Sequence, residues 1–236
     1  MTGAARGIGR GIAVAYAAHG ARVAICDREQ DELHALAAEL GDCHATVLDV
    51  RNDDAVRAFC AAVGHVDVLV NNAGGTFASP FLDVSPKGED SLVRENFLSA
   101  TSFIHHAVPA MTSGGSIINI TSIEAHRACP GFAIYAAMKA ALANLTMTLA
   151  LELGDRLIRV NCIAPDVIPT PGVGELGEPR TPLPRKGHVD DVAGAAVWLA
   201  SDLSSFVTGT TIHVDGGNLA AGGWQRGAEG WVTGLA

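Results

Sequence analysis

The sequence predicts an α/β fold in which a doubly wound parallel sheet carries helices on both of its faces. Short apolar runs bounded by turn residues alternate with longer segments of helical periodicity. The runs are almost continuously apolar, as expected for strands that are buried on both faces. Hydrophobic residues make up 48% of the 236 residues and charged residues only 17%, which excludes a mainly disordered chain. We expect a single domain over residues 1–236, because the length suits one and no internal repeat is present.

Six strands and six helices are predicted from these patterns. The predicted strands are residues 22–26, 45–48, 66–70, 116–120, 158–163 and 211–214. The predicted helices are residues 8–19, 30–40, 55–63, 91–111, 132–153 and 189–199. A strand, a helix and the next parallel strand form a right-handed crossover, so the helices are expected to cover both faces of the sheet.

Charge and cysteine content exclude several classes of function. Sixteen basic and 25 acidic residues give a net charge of −9, whereas proteins that bind nucleic-acid backbones usually carry a basic surplus. The five cysteines are widely spaced and form no C-x-x-C pair, so neither a disulfide framework nor a zinc site is expected. We therefore expect no nucleic-acid partner and no metal.

Targeting and membrane signals are also weak. The N-terminal residues contain no apolar stretch of signal-peptide length. The longest apolar region, residues 133–153, contains Lys139, Asn144 and Glu152, so we interpret it as a buried helix rather than a membrane span. These observations favour a cytoplasmic protein with no membrane partner.

One segment breaks the alternation of strands and helices. Residues 165–184 hold six of the ten prolines together with three glycines, a composition that predicts a long loop. Long loops inside compact domains are commonly functional. Because this loop follows directly on a predicted strand end, we interpret it as a lid over a substrate site; an ordered surface excursion is the alternative.

Residues 2–9 form a glycine-rich turn that is typical of dinucleotide binding. Gly3, Gly7 and Gly9 lie in the motif T-G-A-A-R-G-I-G, where glycines allow a tight turn and let backbone amides approach a pyrophosphate. The helix that follows directs its N-terminus at that anion. About 20 residues later Asp27 ends the next strand, where a carboxylate binds ribose hydroxyls and repels a 2′-phosphate. An ordinary turn or helix-capping residue is the alternative for Asp27.

Three polar residues have the spacing of a proton-transfer site. Tyr135 and Lys139 are four residues apart on a predicted helix, so they share one face. A nearby cation favours the phenolate form of tyrosine, which suits proton exchange with an alcohol. Ser122 lies just beyond the predicted strand 116–120, at the end where open parallel sheets bind their ligands.

Taken in order, these motifs resemble those of the short-chain dehydrogenase/reductase family, which includes 3-oxoacyl-carrier-protein reductases, hydroxysteroid dehydrogenases and dihydrodiol dehydrogenases. The resemblance covers nearly the whole chain and implies a Rossmann-like fold. Further segments that match the family are Asp49, N-N-A-G at 71–74, R-V-N-C-I-A-P at 159–165, Thr170 and V-D-G-G at 214–217.

The resemblance implies hydride transfer between a secondary alcohol, or its ketone, and the C4 atom of nicotinamide. It assigns the catalytic roles to Asn96, Ser122, Tyr135 and Lys139. Tyr135 exchanges the hydroxyl proton, Lys139 lowers the pKa of Tyr135 and holds the nicotinamide ribose, Ser122 positions the substrate oxygen, and Asn96 holds a water that links Lys139 to solvent. The implied cofactor-binding residues are Gly3, Arg6, Gly7, Ile8, Gly9, Asp27, Arg28, Asp49, Val50, Asn72, Ala73, Gly74, Tyr135, Lys139, Pro165 and Thr170.

Two features of the sequence oppose each other in the choice of cofactor. In the family, basic residues at the positions of Arg6 and Arg28 help to hold the 2′-phosphate of NADP. Asp27 repels that phosphate, so we expect NAD rather than NADP.

The substrate is not determined by the sequence. A hydroxyacyl thioester, a steroid and a cyclic diol are all open, and N-A-G-G-T at 72–76 weakly favours the diol and steroid relatives. Asp166 replaces the family's usual glycine, and it either contacts substrate, disfavours acidic substrates or faces solvent. His126 and Arg127 either line the substrate mouth or are structural.

The family resemblance also implies a homotetramer or homodimer. His105 and His106 are expected at an interface or on the surface, and the glycine-rich tail, residues 222–236, either covers an active site or extends freely. The alternative function is a non-catalytic nucleotide-binding protein, or an inactive truncated one, with the same fold.

The glycine motif normally follows directly on a β-strand, and no such strand precedes Thr2 in this sequence. We therefore expect the first, central strand of the sheet to be missing, which would leave its two neighbours unpaired. A start site placed too late would explain this, because a GTG codon encodes valine within a gene but methionine at a start, and Met1 stands where the family often has valine.

Overall fold

A computed structural model describes residues 1–171, 173, 177, 179, 181–227 and 230–233 of the chain. Its strands are β1 (Val23–Asp27), β2 (Cys43–Val47), β3 (Val68–Asn71), β4 (Gly115–Ile120), β5 (Ile158–Pro165), β6 (Thr211–Val214), β7 (Trp224–Gly227) and β8 (Gly230–Thr233). Its α-helices are α1 (Gly7–Ala18), α2 (Gln30–Leu40), α3 (Asp53–Val63), α4 (Pro86–Val93), α5 (Ser99–Ala107), α6 (Ala133–Glu152), α7 (Val189–Ala200) and α8 (Asn218–Ala221).

All six predicted strands and all six predicted helices are confirmed, most within two residues of the expected bounds. The exception is the helical region expected at 91–111, which begins at Pro86. Ser85 caps it, because its hydroxyl accepts a hydrogen bond from the backbone N–H of Gly88 at 3.1 Å, and proline suits the first helical turn. A π-helical turn, Arg94–Leu98, separates α4 from α5. The antiparallel β7–β8 hairpin was not predicted.

The parallel sheet is divided into two parts. β1 pairs with β2, and β3, β4, β5 and β6 pair in that order. Between β1 and β3, the described residues supply only Met1 and Thr2. The Met1 carbonyl accepts from the Cys26 N–H, and the Thr2 N–H donates to the Val70 carbonyl, both at 3.1 Å. Thr2 also forms an isolated parallel bridge with Cys26 at this central position.

A cavity of about 810 Å³ extends along the gap between β1 and β3. Apolar side chains of both strands line it, including Val23 and Val68, and so do Phe59 and Phe103 from the helices beneath. The two facing strand edges and this apolar cavity together have the shape of a slot for one further strand; we call it the central slot.

The core lies on both faces of the sheet, as a doubly wound fold requires. One buried cluster joins Ile12 of α1 and Val192 of α7 to Ile118 of β4. The other joins Phe59 of α3 to Phe103 of α5 and to further residues of β4 and β5. Neighbouring residues of β4 point into opposite clusters, so the strand is buried on both sides.

Within the described residues, α6 is the one helix that is long and apolar enough to cross a membrane by length and composition. It packs against β5 and carries Tyr135 and Lys139. We therefore interpret α6 as one of the helices that cover the sheet of the α/β fold.

Candidate active site

A cleft of about 730 Å³ runs along the carboxyl ends of the parallel strands. It brings together residues from the glycine turn, from the ends of β1, β3, β4 and β5, and from α6. Of the predicted site residues, all but Gly9 and Asn96 line this cleft. Gly9 and Asn96 do not line the cleft, but each lies against residues that do.

The glycine turn is held in place by the N-N-A-G segment. The Thr2 hydroxyl accepts hydrogen bonds from the backbone N–H groups of Asn72 and Ala73, each at 3.0 Å. The Asn72 amide donates in return to the Gly3 carbonyl at 2.9 Å. Gly9 must be glycine, because a Cβ there would lie 2.0 Å from the Gly3 carbonyl oxygen. Gly9 thus brings α1 close to the turn and aims the helix N-terminus at the cleft.

Asp27 lies at the end of β1, where it also braces the glycine turn. One carboxylate oxygen accepts from the Ala5 N–H at 2.9 Å and the other from the Glu29 N–H at 3.1 Å. Glu29 also lines the cleft, with its carboxylate 3.9 Å from Arg6 and 3.4 Å from Arg28. The two arginines therefore share one carboxylate. Sequence reasoning missed Glu29, although its position two residues after Asp27 was an available signal.

Asp49 forms an ion pair in the part of the cleft next to β2. Arg51 approaches it through two guanidinium nitrogens, the shorter contact being 2.5 Å, and holds the pKa of the Asp49 carboxyl below its usual value. Val50 lines the cleft beside it. The arginine partner was not predicted.

Ser122, Tyr135 and Lys139 meet on one wall of the cleft. Ser122 follows β4 and caps a short 3₁₀ turn, Ile123–Ala125. The Lys139 Nζ donates to the Ile120 carbonyl at 2.9 Å and lies 5.6 Å from the centre of the Tyr135 ring. The strand end and the helix face thus bring the three side chains to one cavity, and their catalytic roles stay a prediction.

The ionisation of this group is governed mainly by burial. Burial lowers the pKa of Lys139 to about 8 and raises the pKa of Tyr135 above its usual value. A hydrogen bond with Ser122 opposes the rise at Tyr135, whereas the charge of Glu124 adds to it. The expected lowering of the Tyr135 pKa by Lys139 stays a prediction.

Asn96 lies in the π-helical turn, behind Gly74. Its amide nitrogen donates to the carbonyls of Gly75 and Leu92, at 2.9 and 3.0 Å. Its buried amide oxygen has no partner among the described residues. A Cβ added to Gly74 would lie 2.7 Å from this oxygen and 3.2 Å from the Lys139 Nζ, so both groups face the same small space.

The outer end of the cleft contains several residues that the sequence did not identify. They are Phe77, Glu124, Cys129 and Phe132, which line the same cavity as Ser122 and Tyr135. Their spacing in the sequence follows no motif, because they are placed by a short turn and by two loops. Glu124 is the one acid among them.

The residues whose roles were left open lie around this outer end. Asp166 lines the cleft and accepts a hydrogen bond from Asn218 at 2.7 Å. Arg127 pairs with Glu124, and His126 contacts the ring of His213 with 4.8 Å between centroids. Asp166 therefore belongs to the mouth of the cleft, whereas Arg127 lines a neighbouring cavity and reaches the cleft only through its pair with Glu124. The His126 contact is structural.

The loop that follows β5 begins at the cleft. Pro165 ends β5 and lines the cleft, and the Thr170 side chain lies 3.2 Å from where a Cβ of Gly7 would be. Part of the predicted lid at 165–184, namely residues 172, 174–176, 178 and 180, lies outside the described residues, as do residues 228–229 and 234–236 of the tail.

His105 and His106, which were expected at an interface or on the surface, both lie on α5. His106 is 3.1 Å from an Asp53 carboxylate oxygen on α3, so it joins two helices of this chain. In the part of the chain that the structure describes, no group of three or more His, Cys, Asp or Glu side chains is arranged to hold a metal ion.

A nucleotide-sized cleft with a glycine turn, an acid at the end of β1 and a Ser-Tyr-Lys wall defines an α/β dinucleotide-binding protein with a redox-type site. Comparison with known proteins narrows this class. The family model described as Enoyl-(Acyl carrier protein) reductase matches residues 3–218. The chain belongs to the short-chain dehydrogenase/reductase family.

Individual relatives cover almost all of the chain. L-xylulose reductase of Bos taurus is 36% identical over 93% of this chain and 95% of its own length. Carbonyl reductase [NADPH] 2 of Sus scrofa is 34% identical over 94% and 96%. A solved short chain dehydrogenase/reductase family protein superposes with a TM-score of 0.88 at 36% identity, over 93% of this chain and 95% of that one. These matches support an oxidoreductase that acts on alcohols or ketones.

Proposed function

We propose that this chain is an NAD-dependent oxidoreductase that transfers hydride between a secondary alcohol, or its ketone, and nicotinamide. The observation that carries the proposal is the convergence of Ser122, Tyr135 and Lys139 on one wall of the cleft whose other end holds the glycine turn and Asp27. A binding protein has no physical need for a buried lysine beside a tyrosine at that place.

The residues present fit a dinucleotide. The N-terminus of α1 and the glycine turn offer backbone donors to a pyrophosphate, and Asp27 lies beside the turn, where its carboxylate accepts from the Ala5 N–H at 2.9 Å. Asn96 fits as well, because its unpartnered oxygen and the Lys139 ammonium face one space that suits a bridging water.

The chain's own residues divide the proton chemistry among them. The nicotinamide, when bound, supplies the acceptor or donor of hydride. Ser122 holds the substrate oxygen by a hydrogen bond, and Tyr135 takes the hydroxyl proton during oxidation or returns it during reduction. Since the pKa of Lys139 is about 8, its amine is mostly charged at pH 7 and stabilises a developing phenolate. Asn96 positions the water through which the proton taken up by Tyr135 leaves the site.

The choice of NAD is supported by two carboxylates near the expected ribose position. Asp27 and Glu29 both line the cleft there, and Glu29 occupies the two arginines that would otherwise suit a 2′-phosphate. The NADPH in the name of the porcine relative indicates that the opposite choice exists on this fold.

Substrate and assembly follow the family resemblance. A small alcohol or ketone is the proposed substrate, and a steroid, a cyclic diol and the acyl thioester suggested by the family model remain open classes. A homotetramer or homodimer in the cytoplasm stays a prediction.

Tyr135→Phe tests the proposal. The variant keeps the aromatic ring but loses the proton-exchanging hydroxyl. Turnover should therefore fall by about 10²–10⁴-fold, the range that general acid–base groups contribute, while NAD affinity changes little. Turnover is followed at the NADH absorbance with a panel of secondary alcohols, and NAD affinity by calorimetry. Near-wild-type turnover would remove Tyr135 from the mechanism, and NAD binding without any turnover by the wild type would favour a non-catalytic nucleotide-binding protein.

A further inference from the structure

We propose that Glu124 determines the charge of the substrate end of the cleft, so that the enzyme selects uncharged, hydroxyl-bearing ketones and alcohols over substrates that carry a carboxylate. The inference rests on the proposed function, because it concerns which substrates the same site accepts. It adds a specificity residue that neither the family motifs nor the catalytic group includes.

The first step is the position of Glu124. It follows Ser122 by two residues in the turn Ile123–Ala125, and its backbone N–H donates to the Ser122 hydroxyl at 3.2 Å. Its side chain is only 16% exposed and lines the cavity that Ser122 and Tyr135 also line. The carboxylate is therefore part of the wall that a substrate meets.

The second step is that this carboxylate is held in one orientation. The Arg127 guanidinium donates to both of its oxygens, at 2.8 and 3.2 Å. A two-pronged pair of this kind fixes geometry better than a single contact. Because each carboxylate oxygen accepts two hydrogen bonds, the group still has capacity for a substrate hydroxyl.

The third step is the balance of charge at the mouth. Arg127 is the cation nearest to Glu124, and Asp166, which also lines the cleft, interacts with the same arginine. Glu124 and Asp166 both line the cleft, whereas Arg127 does not and the Lys139 ammonium is buried with its Nζ donating to the Ile120 carbonyl. The outer end of the cleft therefore carries an excess negative charge. A substrate carboxylate would meet repulsion there, whereas a neutral polyhydroxy ketone would find acceptors for its hydroxyl groups.

The fourth step is that the Glu124 charge reaches the reacting group. It raises the pKa of Tyr135, as does Cys129, although burial is the larger cause and Ser122 acts in the opposite direction. Lys139 is the cation that faces the same ring, at 5.6 Å. The Glu124 charge can change the pKa of Tyr135 only if the carboxylate lies on the reacting side of the cleft. The pKa of Tyr135 therefore tests the position of Glu124 independently of substrate turnover.

The substrate experiment uses Glu124→Gln and three probes. Methyl acetoacetate and acetoacetate differ by one charge, and erythrulose is a neutral polyhydroxy ketone. In the variant, kcat/KM for acetoacetate relative to methyl acetoacetate should rise about tenfold, equivalent to about 1.4 kcal/mol. The KM for erythrulose should rise severalfold, because a charged acceptor is replaced by a neutral one. Glu39→Gln is the matched control, since Glu39 pairs with Arg10 outside the cleft; its ratios should equal those of the wild type.

A second readout needs no turnover. The chain has two tyrosines, Tyr16 and Tyr135, and burial raises the pKa of both, so the titration is done in a Tyr16→Phe background, in which phenolate absorbance near 295 nm reports Tyr135 alone. Glu124→Gln should lower the midpoint of that titration, and Glu39→Gln should leave it unchanged. An unchanged midpoint, or an unchanged acetoacetate ratio, overturns the inference. If the wild type turns over none of the probes, the proposed function is contradicted for them and the titration alone decides the role of Glu124.

Discussion

Lys139 combines burial with a charge, and the two oppose each other. Burial lowers its pKa to about 8, from about 10.5 in an unfolded chain, because the ammonium group is separated from water. Between these two pH values the unfolded chain binds more protons than the folded one. The stability of the fold should therefore rise with pH across that window, and the burial cost should be fully present below pH 8.

Lys139→Met tests this expectation. Methionine has a similar length and no charge, so the difference in unfolding free energy, wild type minus variant, should increase from pH 8 to pH 10 by on the order of 2–3 kcal/mol. Urea unfolding at several pH values measures it. The exposed Lys87 provides a control, because Lys87→Met should show no such trend. A flat difference for Lys139→Met would mean that the amine is well solvated.

Glu29 is the residue through which we expect cofactor choice to be altered most directly. Glu29→Gln removes the carboxylate shared by Arg6 and Arg28 and one negative charge near the expected 2′-position. The preference for NAD over NADP should fall by about three- to tenfold, a modest change because exposed ion pairs contribute little, mainly through the affinity for NADP. Calorimetric titration with both cofactors measures it, with Glu32→Gln on the exposed part of α2 as the control. A wild type that already prefers NADP would reject the assignment of NAD.

At this scale the sequence predicted the residues that follow a spacing rule and missed the others. Tyr135 and Lys139 are one helical turn apart, and Ser122 stands at a strand end, so their meeting could be foreseen. Glu124 could not be, because a 3₁₀ turn and the Arg127 contact determine where its side chain points. The pairing of Arg51 with Asp49 was missed because the direction of a side chain, as at Glu124, follows no spacing rule.

Among the elements, strands and helices were predicted well because each has a strong local pattern. The early start at Pro86 had a signal, the Ser-Pro pair, that the apolar periodicity concealed. The π-helical turn that places Asn96 has no such signal, since an extra residue in one turn depends on packing and not on composition. The β7–β8 hairpin is short and polar for a strand pair, which explains why no alternation marked it.

The central slot is the element-scale feature with the largest expected energetic effect. An extension of five residues rich in Val and Ile, placed directly before Met1, should pair with the free edges of β1 and β3 and fill the apolar cavity of about 810 Å³. We expect the unfolding midpoint to rise by several degrees and the amides of β1 and β3 to gain protection from hydrogen exchange. A Gly-Ser extension of equal length is the control. Equal midpoints for both extensions would show that the slot does not accept a strand.

At the scale of the whole molecule, the cleft joins the two parts of the divided sheet. Asp27 belongs to β1 and so to one part, whereas Ser122 follows β4 and Lys139 packs beside it in the other. Met1, Thr2 and the glycine turn are the backbone that connects them across the gap. A dinucleotide that spans the cleft would therefore act as a brace between parts that share few strand hydrogen bonds.

This arrangement predicts that a bound dinucleotide stabilises both parts of the divided sheet together. At a concentration of about 100 Kd, NAD should stabilise the protein by about 2.7 kcal/mol, or roughly 5–10 °C in unfolding midpoint for a chain of this size. ADP, which would reach only the Asp27 side, and nicotinamide mononucleotide, which would reach only the Ser122 side, should each stabilise by the same amount at about 100 times their own Kd, so the coupling is tested by where the protection appears. Hydrogen exchange should show protection in both β1 and β4 with NAD but in one of them with each half. If either half alone protects both β1 and β4, the two parts of the sheet are already held together without the dinucleotide, by the turn at residues 1–9.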